Sequence, residues 1–366
     1  MSARKLQVKI HGNKNSLVLV KNQGYGCLHP EIILFPNSYR GFKYWLYYTP
    51  YPPDSAEEVF LMRSNDGLHF TDREVKNPVL TRGKENEWDS HHIADPDIVW
   101  VNGKFFMYYS GSRYKGNKKI TSIGLAISND GIVWRKYENN PVLKADPEIR
   151  YERGYGNALV VTTPTVIRLK QEYLMVYSSI DESGKYCLNL AFSRNGIEWE
   201  RYEENPILKP EKEYEGRHID HPKLFILEDL LLMLYLGRRE SESILNLAYT
   251  YIDNPYDWKR YDKNPILIHS NRDYGEAPIL YRVLYKFKIS DDKIKTIYRT
   301  LRRFSKKCRG TSTWDSWMIY RSTPLVDFNR KLVVNDNNKT NLYYSAYDYY
   351  TAIPSIGVID IEIVTQ

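Results

Sequence analysis

The chain reads as an all-β protein built from repeated antiparallel sheets, and three observations carry that expectation. Its 366 residues include 32 Tyr, 8 Trp and 11 Phe, aromatic side chains that suit a pleated, half-buried surface. Two markers recur in step: an aromatic residue at 70, 134, 199 and 258, and an Asn-Pro proline at 78, 141, 206 and 265. Five proline-marked strand starts, with prolines at 30, 96, 164, 222 and 278, divide the chain in the same rhythm. A fixed internal period is the signature of a repeat architecture. Four short antiparallel strands per repeat make a propeller blade. The sequence therefore predicts a five-bladed β-propeller with four-stranded blades, a single domain over residues 1–366.

Each element follows from local chemistry. Asp97-Ile-Val-Trp-Val101, the turn at Asn102-Gly103 and Phe105-Phe-Met-Tyr-Tyr-Ser110 form a hairpin pattern. Ile123-Gly-Leu-Ala-Ile-Ser128 continues as a third strand, and Val133-Trp-Arg-Lys-Tyr137 as a fourth. Between them, Asn129-Asp130-Gly131, like Asn65-Asp66-Gly67 and Arg194-Asn195-Gly196, supplies the positive φ of a tight turn. These turns read as structural. At the C-terminal end, Asn341-Leu-Tyr-Tyr-Ser-Ala-Tyr347 and Ser355-Ile-Gly-Val-Ile-Asp-Ile-Glu-Ile363 match the second and third strands of a blade. Leu6-Gln-Val-Lys-Ile10 and Asn15-Ser-Leu-Val-Leu19 match the missing fourth. The N-terminal strand is thus expected to pair with the last blade and close the ring, covering an otherwise open edge. Residues 283–340 then become an insertion between the first two strands of blade five.

Composition narrows the function. The hydrophobic fraction of 42% and charged fraction of 27% fit a folded globular chain. No run approaches the roughly 18 apolar residues of a membrane span, so no membrane partner is expected. The opening Met1-Ser2-Ala3-Arg4-Lys5-Leu6 lacks an apolar signal-peptide core, which predicts a cytoplasmic protein. Cys27, Cys187 and Cys308 are too few and too scattered for a disulfide framework or a zinc ribbon. The net charge of +7 is local: Arg282 to Arg309 holds eleven Lys and Arg against Asp291 and Asp292. A charge run of this kind is expected to be a solvated surface or an oligomer contact rather than a nucleic-acid site.

The innermost strands of a propeller begin at one mouth of its central tunnel, so residues at the five starts should converge. They are His29 and Glu31; His91, His92, Asp95 and Asp97; Thr162, Thr163 and Thr165; Arg217, His218, Asp220, His221 and Lys223; and Glu276. Five of the eight histidines lie here, and charged groups at such a mouth are costly to desolvate without a function or a partner. Some are alternatively expected to pair with one another and pin neighbouring blades. Aromatic residues precede the same starts at Tyr25, Trp88, Tyr155, Tyr214 and Tyr274. Rings beside carboxylates suit sugars, although some of these rings are expected to pack between strands instead.

These five starts, Asp95-Pro96 and Glu276-Ala-Pro278 resemble the five-bladed propellers of glycoside hydrolase family 43 and its relatives in families 32, 68, 117 and 130. The resemblance spans the chain outside the basic insertion. It implies an inverting glycosidase acting on arabinoside- or xyloside-like substrates, with Asp95 as general base, Asp220 as the carboxylate that tunes the acid, and Glu276 as general acid. Such chemistry places its two carboxyls about 6.5–9.5 Å apart to admit water. His29, Glu31, Trp88, His92, Asp97, Thr163, Arg217, His218, His221 and Tyr274 are the expected substrate contacts. No cofactor is required, and the resemblance implies a structural calcium near His221 or His92. Asp220-His221-Pro222 departs from the family's Asp-Pro pattern by one residue, and a complete repeat with His29 and Glu31 precedes Asp95. Two other functions remain open. One is a family 130-like β-mannoside phosphorylase using Arg217, His218, His221 and Lys223 for phosphate. The other is a non-catalytic carbohydrate-binding propeller.

Overall fold

A computed structural model describes residues 6–18, 26–51, 56–154, 158–239, 242–268, 318–347 and 354–365. Apart from one short helical turn at Glu213–Glu215, the elements named among these residues are strands. In chain order they are β1 (Leu6–Val18), β2 (Gly26–Tyr39), β3 (Phe42–Tyr51), β4 (Phe60–Ser64), β5 (His92–Val101), β6 (Lys104–Lys115), β7 (Lys118–Ser128) and β8 (Arg135–Lys136). There follow β9 (Leu159–Leu169), β10 (Glu172–Ile180), β11 (Tyr186–Ser193), β12 (Glu200–Arg201), β13 (His218–Leu227), β14 (Leu230–Arg239), β15 (Glu242–Tyr251) and β16 (Asn254–Arg260). The last three are β17 (Met318–Pro324), β18 (Lys339–Tyr347) and β19 (Pro354–Thr365). No helix among the described residues is long and apolar enough to cross a membrane.

The strands form antiparallel meanders: β2-β3-β4, β5-β6-β7-β8, β9-β10-β11-β12, β13-β14-β15-β16 and β17-β18-β19-β1. The second and third touch through a short parallel contact between Ile120–Thr121 and Leu159–Val160. β1 runs antiparallel to β19 from Leu6 opposite Thr365 to Val18 opposite Ile356, so the chain's first strand completes the sheet of its last. Hydrophobic cores lie between meanders rather than within them. Ile33, Trp45 and Leu61 pack on Ile98, Met107 and Trp134, and Val99, Tyr108 and Leu125 on Val166, Met175 and Tyr177. Val18, Tyr343 and Val358 of the last sheet pack on Ile32, Leu46 and Met62 of the first. Each side chain so buried contributes about 1.5–3 kcal/mol.

The repeated motifs have distinct jobs. The Asn of each Asn-Pro pair clips its own sheet: Asn140 Oδ1 accepts from Leu125 N at 2.8 Å while its Nδ2 donates to Leu125 O at 2.8 Å. Asn77, Asn205 and Asn264 do the same to Leu61, Leu190 and Leu247. The turn glycines, at positive φ, accept at their carbonyls from tyrosines of the preceding sheet. Tyr47 donates to Gly131 O and Tyr108 to Gly196 O at 2.6 Å, and Tyr343 of the last sheet to Gly67 O of the first at 3.0 Å.

The expected insertion over 283–340 needs correction. The strand paired with β18 is β17, within that span, and Leu325–Asn338 is its connection to β18. The sequence marker for a first strand was a proline, whereas the corresponding site in β17 carries Arg321. Residues 269–317, which hold Tyr274, Glu276 and the basic segment, lie outside the described residues.

Candidate functional site

One backbone device positions the site. In each first strand two residues oppose a single residue of the second, forming a β-bulge: His29-Pro30, Asp95-Pro96, Thr163-Pro164, His221-Pro222 and Tyr320-Arg321. The first bulge residue has positive φ at His29, Asp95, Thr163 and His221, from 49° to 54°. Proline has no N–H for the ladder and suits the second position. Bulges re-aim side chains, and these turn their first residue toward a common centre. The proline markers are therefore bulge positions, and the structural counterpart of Asp95 is His221 rather than Asp220. That explains the one-residue departure at Asp220-His221-Pro222.

Around the centre, Asp95 Oδ1 lies 3.4 Å from His29 Nε2, 3.5 Å from His221 Nε2 and 3.1 Å from an Arg321 amine. Its Oδ2 accepts from Ser110 Oγ at 3.0 Å. The other nitrogen of each imidazole is occupied. His29 Nδ1 meets Thr49 Oγ1 at 2.7 Å and Glu57 Oε2 at 3.0 Å, and Thr49 donates its own proton to Glu57. His221 Nδ1 meets Asp220 Oδ1 at 2.9 Å, and Arg238 Nε holds the other Asp220 oxygen at 2.7 Å. Tyr320 caps the centre, its ring 5.3 Å from His29 and 4.9 Å from His221, with the Arg238 guanidinium 4.9 Å from its centroid. The two imidazoles lie parallel, their centroids 5.8 Å apart.

Electrostatics set the protonation. Burial would raise the Asp95 carboxyl, but His29, His221, Arg321 and the Ser110 hydroxyl together hold it well below the usual carboxylate range. Burial likewise opposes ionisation of Asp220, yet Arg238 and His221 bring it down to about 2. Both are carboxylates near neutral pH, fit to accept protons or hold a cation and not to donate. Burial lowers the His221 imidazole despite Asp220, whereas at His29 the Asp95 and Glu57 charges overcome burial and raise it.

Directly beneath lies a second charged layer. Lys223 pairs with Glu31 and, at 2.8 Å, with Asp97; Arg330 pairs with Glu31 at 2.7 Å and Asp97 at 2.6 Å. All four are buried. Glu31 and Asp97 were expected to contact substrate and Lys223 to bind phosphate. Each instead spends its charge inside this neutral quartet, which ties the first strands of three sheets to the β17–β18 connection.

The other expected contacts divide. Thr163 supports the centre from behind: its N–H donates to Ser110 Oγ at 2.8 Å and its hydroxyl to Ser178. Trp88 packs on Tyr109 and over Gly111 and Gly124, where a Cβ would fall 2.4–2.5 Å from the indole, so this ring holds the sheet together. Arg217 is exposed. His218 Nδ1 accepts from Tyr186 N at 3.3 Å. Burial, with Lys119 and His91, keeps His92 neutral, and its ring lies beside His91. A cleft of about 500 Å³ lined by Lys115, Lys118 and Arg153 includes none of the central groups. Sequence reasoning missed Thr49, Glu57, Ser110, Arg238, Tyr320 and Arg321. Counting back one hairpin from the second strand at 341–347 would have found the last two.

His29, Asp95 and His221 each offer one donor atom, all three within 4.8 Å of one another. The calcium implied by family resemblance takes six to eight oxygen ligands. Two imidazoles and one carboxylate do not fit it, and His92 is not part of the group.

No family profile matches the chain. A 1,2-beta-oligomannan phosphorylase from Thermoanaerobacter is 30% identical over 130 residues, which is 34% of this chain and 41% of that protein. A beta-1,2-mannobiose phosphorylase from the same organism is 29% identical over 111 residues, 28% of this chain and 34% of its own length. The chain thus spans well under half of these curated relatives. Among solved structures, a family 117 glycoside hydrolase from Zobellia galactanivorans superposes with a TM-score of 0.60 at 12% identity, covering 98% of this chain and 90% of that one. An N-acetylgalactosamine deacetylase from F. plautii gives 0.59 at 15% identity, covering 99% and 96%. The chain therefore has an all-β fold of the kind seen in propeller glycoside hydrolases.

Proposed function

We propose that this chain is a carbohydrate-active enzyme, built as a closed five-bladed ring, that hydrolyses glycosidic bonds at the mouth where Asp95 and Asp220 flank His221. Support for the ring comes from the cores shared by successive sheets, including the one between the last sheet and the first. Convergence of His29, Asp95, His221 and Tyr320 from four sheets at one bulge position carries the functional reading. Asp95, ionised and buried, is suited to take a proton from the attacking water as the water oxygen bonds to the anomeric carbon. The leaving oxygen then needs a proton donor, the role assigned to Glu276 from family resemblance. Asp220 holds the His221 ring and adds negative charge beside the developing cationic sugar.

Phosphorolysis is the second reading, favoured by the match to two mannoside phosphorylases. Lys223 is already spent on Glu31 and Asp97, and Arg238 and Arg321 on Asp220 and Asp95. Among the described residues expected to hold phosphate, that leaves exposed Arg217 with His218 and His221, which favours water as the acceptor. Incubating the enzyme with β-mannosides, arabinosides and xylosides, with and without phosphate, separates the two. Free sugar in phosphate-free buffer is expected; sugar 1-phosphate formed only with phosphate would select the alternative.

A further inference from the structure

We propose that His29 Nε2, His221 Nε2 and Asp95 Oδ1 form a binding site for a divalent transition-metal ion of the zinc class, in place of the family's calcium. Metal binding here holds whether or not a glycosidic bond is what the site cleaves.

Three features point this way. First, the spacing is that of a coordination sphere and not of hydrogen bonds. The Nε2 to Oδ1 separations of 3.4 and 3.5 Å exceed the roughly 2.7–3.2 Å of a hydrogen bond. Two ligands about 2.1 Å from a tetrahedral ion sit about 3.4 Å apart. Second, both rings are locked from behind. The Asp220 carboxylate, paired with Arg238 at 2.7 Å, accepts from His221 Nδ1 at 2.9 Å, closer than the Arg238 guanidinium nitrogen 3.3 Å from the same atom, so Nε2 turns its lone pair inward. Thr49 gives its proton to Glu57, so its oxygen accepts from His29 Nδ1 and leaves that Nε2 lone pair inward as well. A carboxylate behind each ligating imidazole is how proteins fix the tautomer of a metal-binding histidine. Third, charge permits a cation. The three carboxylates Asp95, Asp220 and Glu57 outnumber the two guanidiniums of Arg238 and Arg321. Arg321 occupies one lone pair of Asp95 Oδ1 and leaves a second for the ion. Nitrogen-rich ligands of this kind select zinc, cobalt or nickel over calcium.

The test uses the full chain stripped with chelator and titrated separately with Zn²⁺, Co²⁺ and Ca²⁺. One equivalent of Zn²⁺ is expected per chain, with a visible Co²⁺ absorption band that Zn²⁺ displaces and no stoichiometric Ca²⁺. His29→Ala and His221→Ala should each weaken Zn²⁺ at least 100-fold. Glu57→Gln and Asp220→Asn, which keep every ligand, should weaken it about 10–100-fold and remain informative if the alanine variants misfold. His69→Ala, at an exposed histidine beside Asp66, should change nothing. Absence of a Zn²⁺ equivalent, calcium bound in preference, or affinity unmoved in all four site variants would overturn the assignment.

Discussion

His29, Asp95 and His221 face one shared centre, while Glu31, Asp97 and Lys223, two residues further along the same strands, face the buried quartet. The bulge and the alternation of a strand make this division. Residue type alone hides it, because both positions carry charged groups, and so the sequence places both among the candidate site residues. Removing one member of the inner quartet should be costly. Lys223→Met leaves Glu31 and Asp97 with Arg330 alone, and a buried pair so broken costs about 3–5 kcal/mol. Urea unfolding should show that loss, and an unchanged midpoint would remove the quartet from the account of stability. Gly111→Ala should cost about 1–3 kcal/mol, because its methyl would meet the Trp88 indole.

Among the elements, the Asn-Pro repeats were legible because the same side chain solves the same problem four times. Each Asn completes the hydrogen bonds of a third strand whose outer neighbour is short or missing. Asn140→Ala should orphan the Leu125 N–H and carbonyl and cost about 1–3 kcal/mol, read by thermal or urea unfolding. A second staple recurs: Asp89, Glu152 and Glu215 accept from Tyr109, Tyr177 and Tyr235 and pair with Lys136, Arg201 and Arg260. Burial disfavours the Glu215 carboxylate, but Arg260, the Glu211 and Lys212 N–H groups and Tyr235 lower its pKa overall. Its contribution is therefore fully present above the ordinary glutamate pKa of 4.5 and is lost as pH falls through the lower folded value. Glu215→Gln should reduce stability at pH 7 and flatten its decline below about pH 4.5. An acid limb identical to wild type would contradict this. The element least legible was β17, where Arg321 replaces the proline that marks the other four bulges.

For the whole molecule, the period, the all-strand character and the pairing of residues 6–18 with the last sheet could all be read from repeated residues. The cross-repeat contacts could not, since Thr49, Glu57 and Arg238 come from second strands and loops with no shared marker. Deleting residues 1–18 should strip β19 of its partner along a 12-residue edge. An exposed edge of that length promotes association, so light scattering should rise and the unfolding midpoint fall. The central claim is that distant repeats build one reacting centre for a sugar at Asp95. The most direct measurement is product release from a panel of chromogenic arabinosides, xylosides, mannosides and galactosides, comparing wild type with Asp95→Asn at matched circular dichroism. The expected result is turnover of at least one sugar by wild type, reduced about 10²–10⁴-fold in the variant. Equal turnover by both proteins would contradict it.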